Sequence, residues 1–204
     1  MKPPEGRREK RIRLAPEARR LQIIEAAGKL VLQQGHLPLP LEALAQSAGV
    51  SKALIYAYFR DQHALFNAVL GQEFEVLAAR GLVEASQHRE LRDASLGCAL
   101  IYFEHVVERG PLIHVVLRDP YMAGRVAPSA AAFRDLIVRR LGRLAQTALR
   151  LGVKETIAAI NMVITIPEEA GRLVHTGALP LVDGRALCSR LVGASLEAFS
   201  PSAP

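Results

Sequence analysis

Apolar side chains recur at three- and four-residue intervals along most of this chain, and the two-residue alternation of half-buried strands is scarce. In PEARRLQIIEAAGKLVLQQG, Leu21, Ile24, Ala27 (or Gly28) and Val31 form one stripe, which predicts an amphipathic helix beginning near Pro16. Pro16 and Glu17 suit its first turn, and Gly35 suits the left-handed position after its last. HLPLP breaks the pattern, and LEALAQS (41–47) predicts a short second helix with Leu41, Leu44 and Ala45 inward. AGV turns the chain, with Gly49 able to take positive φ. Ser51 then serves as N-cap of a third short helix, KALIYAYF, and Asp61 caps a fourth, QHALFNAVLGQEFEVLAARGLVEA, with Leu65, Val69 and Phe74 on one side.

Two short helices joined by a tight turn, with a helix packed on either side, make a helix-turn-helix arrangement. The long fourth helix leaves this unit directly, which predicts a rigid helical joint instead of a flexible linker. Beyond residue 90, helices are expected near 92–108, 111–118, 128–151, 153–176 and 183–199. Gly110-Pro111 separates the first two, Pro128 opens the third, and Pro167 should kink or restart the fourth. RDPYMAGRVAP reads as irregular and the tail SPSAP as frayed. The fold class is therefore all-α, divided into a basic disordered arm (1–15), a helix-turn-helix domain (16–66) and a larger helical domain (67–200).

Charge sharpens this division. The 204 residues carry a net +6, and the whole excess lies in the first sixty, with 11 Lys+Arg against 5 Asp+Glu; the remainder holds 15 of each sign. A solubility charge would be spread evenly, so a negatively charged partner at the N-terminal end is the simpler explanation. Residues 1–20 alone hold eight Lys+Arg against three glutamates, as expected of a solvated tail or of an arm following a nucleic-acid backbone. No apolar run approaches the roughly 18 residues of a membrane span, and the charged N-terminus has no apolar segment behind it, so neither a membrane partner nor a signal peptide is expected. Cys98 and Cys188 lack metal-ligand or redox spacing and read as buried thiols of a cytoplasmic protein. HExxH, GxSxG and phosphate-loop motifs are missing, so no enzyme, cofactor or metal is expected; Glu104 with His105, or Glu168 with Glu169, point in different directions on a helix.

The chain has only ten Phe and Tyr and no Trp, yet Tyr56, Tyr58 and Phe59 crowd into AGVSKALIYAYF. A DNA-reading helix must lock one face against partner helices and offer the other to base edges, flanked by phosphate donors. Here Ile55 and Phe59, with Ala48 and Val50 from the turn, suit the packed face. Lys52, Ala53 and Leu54 occupy the exposed N-terminal end. Tyrosines at helical spacing are more often core than recognition residues; the capped short helix and adjoining basic excess favour a role at phosphates.

From Arg20 to about Phe66 the residues resemble the DNA-binding domain of the TetR family of transcriptional regulators. RLQIIEAAGKLVLQQG is similar to the family's first helix, and LEALAQSAGVSKALIYAYFRDQHALF to its helix-turn-helix signature. The resemblance implies groove contacts by Lys52, Ala53 and Leu54, with Ala57 nearby, and phosphate contacts by Tyr56 and Tyr58. Gln62 and Arg20 join the expected DNA-facing set. Three positions depart from the family pattern: Pro40 replaces a capping Ser or Thr, Gln62 replaces a Lys, and Leu54 replaces a small or polar residue. Pro40 and Gln62 leave open an interaction module that has lost DNA binding.

The resemblance further implies a ligand-binding and dimerisation domain, with operator DNA as partner, a cytoplasmic location that becomes nucleoid-associated on DNA, and repression relieved by a small molecule. Broad apolar faces on the helices near 153–176 and 183–199 suit a two-fold homodimer interface. Tyr102, His105, His114, Tyr121, Asn161 and Thr165, polar residues amid apolar helices, are the candidates to orient a mainly apolar ligand.

Overall fold

The computed structural model describes residues 15–199. The basic arm expected over 1–15, apart from Ala15, and the tail from Ser200 onward lie outside the described residues. Among those described, eleven α-helices and one short 3-10 turn account for the regular structure, and no strand is present.

Helices α1 (Pro16–Gln34), α2 (Leu41–Ser47) and α3 (Lys52–Tyr58) form the N-terminal unit, and α4 (Gln62–Ala79) runs out of it. Their local causes match the pattern in the chain. Gly49 takes φ 61° in the turn between α2 and α3, a conformation that strains any residue carrying a Cβ. Ser51 Oγ accepts from Leu54 N–H at 3.2 Å, and Asp61 Oδ1 accepts from Ala64 N–H at 2.7 Å. Each cap thus satisfies an N–H that its helix leaves without an internal partner.

The fourth helix is shorter than expected. It stops at Ala79 because Gly81 takes φ 86°, and a separate turn of helix, α5 (Leu82–Ala85), carries the chain on. Helices α6 (Leu91–Arg109), α7 (Leu112–Arg118) and α8 (Pro128–Leu149) follow, with the 3-10 turn at Pro120–Met122 between the last two. The stretch expected as one helix over 153–176 is two: α9 (Val153–Val163) and α10 (Thr165–His175). The break falls at Ile164, just before Pro167. The proline ring clashes with the carbonyl of the fourth residue before it, Val163, and contributes no N–H, so the restart begins one turn ahead of the proline itself. Helix α11 (Leu181–Ala198) closes the described fold.

One continuous core joins the N-terminal unit to the helices beyond it. Ile23, Val31, Leu44, Phe66, Leu70 and Val106 are all fully buried within it. A second cluster, with Phe103, Cys188 and Val192 at its centre, packs α6, α10 and α11 together. Small residues set how closely these helices approach. A Cβ on Gly171 would lie 2.7 Å from Val106 Cβ, and one on Gly184 would collide with Val174 Cγ2. Burial pushes both cysteine thiols up to about 11, so they stay protonated in this setting.

Candidate nucleic-acid interface and ligand cavity

Helix α3 divides cleanly between packing and exposure. Ile55 and Phe59 are buried in the core, whereas Lys52, Ala53, Tyr56 and Ala57 are exposed and Leu54 is half-buried. Tyr56 exposes 56% of its surface, high for an aromatic residue next to the buried Ile55. Tyr58 is different: it is half-buried and leans on the same core as Ile55. The two tyrosines of IYAYF are therefore not equivalent, because a two-residue step on a helix turns the side chain by more than a right angle. Lys52 forms an exposed ion pair with Glu42 on α2, which holds the Glu42 carboxyl below the usual carboxylate range.

The flanking residues are engaged in holding α3 at its presentation angle. The Arg20 guanidinium carbon sits 5.5 Å from the centre of the Phe59 ring, a cation–π contact at the back of α3. Gln22 Nε2 donates to Ala48 O at 2.8 Å, pinning the turn to α1. Gln62 is a clamp: its Oε1 accepts from Leu39 N–H at 2.9 Å and its Nε2 donates to Leu39 O at 2.8 Å. Pro40 caps α2 without a side-chain hydrogen bond, and Gln62 fixes the backbone one residue earlier. The two departures seen in the sequence are thus neighbours in space, a pairing that their separation of 22 positions hid.

Two further connections tie the N-terminal unit to the helices beyond it. Asp119, just after α7, accepts from Leu37 N–H through Oδ2 and from Tyr121 N–H through Oδ1, both at 2.8 Å. Asn67 on α4 accepts from Ala127 N–H at 2.6 Å and donates to Arg125 O at 2.9 Å, while His63 stacks on Tyr121 with ring centres 4.3 Å apart. Residues 119–127 therefore form a strap across α4, fastened to the segment that precedes α2. On the other side of α4, Glu73 is 2% exposed and receives both Arg109 Nε and Nη2 at 2.6 Å, with His105 Nε2 at 3.1 Å. Burial alone would raise the Glu73 carboxyl, but Arg109 and His105 outweigh it and hold it below its ordinary value.

A cavity of about 300 Å³ lies among α4, α6, α7, α8, α9, α10 and α11. Its walls are mainly apolar, with Phe74 and Phe133 stacked at 5.1 Å on one side. Of the six polar residues singled out in the sequence, Tyr102, His114 and Asn161 line it. The other three lie away from it: His105 is buried beside Glu73, Tyr121 belongs to the strap, and Thr165 is exposed with its hydroxyl donating to Met162 O at 2.6 Å. Two charged lining residues outside those six are Arg118 and Glu168. Tyr102 O–H donates to Glu168 Oε2 at 3.2 Å, and His114 Nδ1 pairs with Glu168 Oε1. Burial, reinforced by the adjoining Glu168 carboxylate, raises the Tyr102 phenol far above its ordinary range, so it remains a donor.

Comparison with known proteins fits this arrangement. Residues 23–69 match the family model described as bacterial regulatory proteins, tetR family. The chain is 25% identical over 147 residues to an HTH-type transcriptional activator, FasR, of Mycolicibacterium smegmatis, an alignment spanning 70% of this chain and 67% of that protein. It is 36% identical over 62 residues to an HTH-type transcriptional repressor, Rv1474c, of Mycobacterium tuberculosis, covering 30% of this chain and 33% of that one. A solved TetR-like transcriptional regulator from Rhodococcus sp. RHA1 superposes with a TM-score of 0.66 at 19% identity, covering 91% of this chain and 99% of the other. At that identity the likeness is one of fold.

Proposed function

We propose that this chain, TetR-like in its helix-turn-helix unit and in its whole fold, is a sequence-specific DNA-binding transcriptional regulator. In this reading it acts as a homodimeric repressor that a small molecule releases from its operator. The observation that carries the reading is the exposed face of α3. A short helix, capped and backed by buried Ile55 and Phe59, presents Lys52, Ala53, Tyr56 and Ala57 outward with Leu54 at the edge. Those small and polar side chains suit a major groove, and the Tyr56 hydroxyl suits a phosphate at its margin. Tyr58, half-buried, reaches DNA only through its phenol tip, and Gln62 and Arg20 act by holding α3 in place.

Dimerisation is supported by apolar side chains that one chain leaves in water. Val153, Ile157 and Met162 on α9, and Leu181, Val182, Leu187 and Leu191 on α11, are all at least 40% exposed. Cys188 and Val192 on α11 face the core, so this helix is apolar on two sides. A second copy covering the outer side by two-fold symmetry would set two α3 helices for successive major grooves.

Ligand response needs a link from cavity to reading helix, and the strap offers one. His114 and Arg118 on α7 line the cavity, and Asp119 begins the strap that holds Leu37 ahead of α2. A ligand preferring a different placement of α7 would shift the population away from the DNA-spaced dimer. Gel shifts on the DNA upstream of the coding region test the reading. Salt-sensitive binding that survives non-specific competitor is expected; binding to no promoter fragment would turn the reading toward an interaction module.

A further inference from the structure

We infer that the cavity takes an amphipathic anion, an alkyl or acyl chain ending in a carboxylate, with Arg118 receiving the charged end. This rests on the proposed function for its biological meaning but on the cavity alone for its chemistry. The body of the site is apolar: Leu77, Phe74, Phe133, Ile137 and Leu141 give it walls that a hydrocarbon chain would fill without leaving any polar group unpaired.

The charged residues lining the cavity decide the sign of the head group. One carboxylate, Glu168, is among them, and it is already occupied: the Tyr102 hydroxyl donates to one oxygen and His114 pairs with the other. A cationic ligand would have to displace one of these partners to reach it. Two guanidiniums line the same cavity, those of Arg118 and Arg134. Arg134 has only its sequence neighbour Asp135 near it, at 3.5 Å. Arg118 forms no ion pair within 4 Å among the described residues, yet it lies close enough to the buried Tyr102 phenol to act on it electrostatically. Arg118 lines this apolar cavity while itself exposed to solvent, so its guanidinium fork is open to a planar carboxylate whose two oxygens match it. Arg118 is also the last residue of α7, with Asp119 next in the chain, so a head group held there bears directly on the strap.

Isothermal titration of the full chain with decanoate, decanol and decyltrimethylammonium, all below their aggregation concentrations, compares the three head groups on one chain length. Decanoate is expected to bind tightest, by about tenfold over decanol, the scale of one charge-assisted hydrogen bond. In Arg118→Met, which keeps the apolar stem, the preference for decanoate over decanol should vanish while decanol still binds, and this retained binding reports that the cavity is intact. Decyltrimethylammonium binding as tightly as decanoate, or an unchanged preference in Arg118→Met, would overturn the inference. Failure of all three to bind would overturn it as well, and the gel shift without ligand, being separate, would leave the DNA-binding reading standing.

Discussion

The exposed face of α3 and the cavity among the later helices are built in opposite ways. The first is assembled from seven consecutive residues, Lys52–Tyr58, whose exposure follows from helical spacing and one cap. The second joins Tyr102, His114 and Glu168, the last two 54 positions apart, through the packing of several helices. In the first, the chemistry points at solvent and its partner must come from outside. In the second, Tyr102, His114 and Glu168 satisfy one another inside an apolar wall, and Arg118 has no ion-pair partner among the described residues. Local sequence therefore determines how DNA would be read, whereas the ligand would be selected by tertiary arrangement.

Substitutions that separate the two regions test this contrast. The largest effect is expected from Ile157→Glu with Leu191→Glu, which places charges on the exposed apolar sides of α9 and α11. Sedimentation should show a monomer, and operator affinity should fall by about a hundredfold or more as two linked half-sites become independent. Helical content and decanoate binding should survive. Next comes Arg109→Met at the joint, where Glu73 would be left buried without its main partner. Urea unfolding should show a loss of about 3 kcal/mol, in line with broken buried pairs. Because the Glu73 carboxyl is held below its ordinary 4.5, its stabilisation is complete above that pH and is lost as pH falls through the depressed folded value. Glu73→Gln should therefore flatten the acid side of the stability profile.

Within α3 the contrast can be made between adjacent residues. Ile55→Ala should cost about 2 kcal/mol or more of stability through the cavity it leaves. Tyr56→Phe should leave stability unchanged and weaken binding to every DNA sequence by roughly tenfold, the scale of one hydrogen bond to a charged oxygen. A modest loss of stability is expected at Asp119→Ala, about 1 kcal/mol for two backbone hydrogen bonds that water can partly replace. Its consequence should appear in anisotropy titrations instead: ligand still binds, DNA still binds, and ligand no longer releases DNA.

The helix-turn-helix unit was legible because each of its determinants is local: the Gly49 turn, the Ser51 and Asp61 caps, and the Ile55–Phe59 spacing. The ends of the longer helices were less so. A continuous apolar pattern carried the fourth helix past Gly81, because periodicity does not register a single left-handed residue. Pro167 signalled a break, but its steric reach placed that break at Ile164. Gln62 shows the limit for single side chains. By position it was expected to face DNA, and only the fold reveals that its amide is spent on Leu39. In the cavity, Tyr102, His114 and Asn161 stood out as polar residues among apolar ones. Arg118 was not singled out, since charged residues near helix ends ordinarily mark solvent, and Glu168 was weighed only as a pair with Glu169. His105 stood out for the same reason as His114, but burial beside Glu73 gives it a different role.

The central claim is that α3 reads DNA sequence through Lys52, Ala53 and Leu54 while Tyr56 supplies sequence-independent affinity. Selection of bound fragments from a random DNA pool, run in parallel on the parent chain, Tyr56→Phe and Leu54→Ala, tests it most directly. The parent should enrich an inverted repeat, Tyr56→Phe the same repeat at lower yield, and Leu54→Ala a repeat altered at one position in each half-site. No enrichment by the parent, or an identical repeat from Leu54→Ala, would contradict the claim.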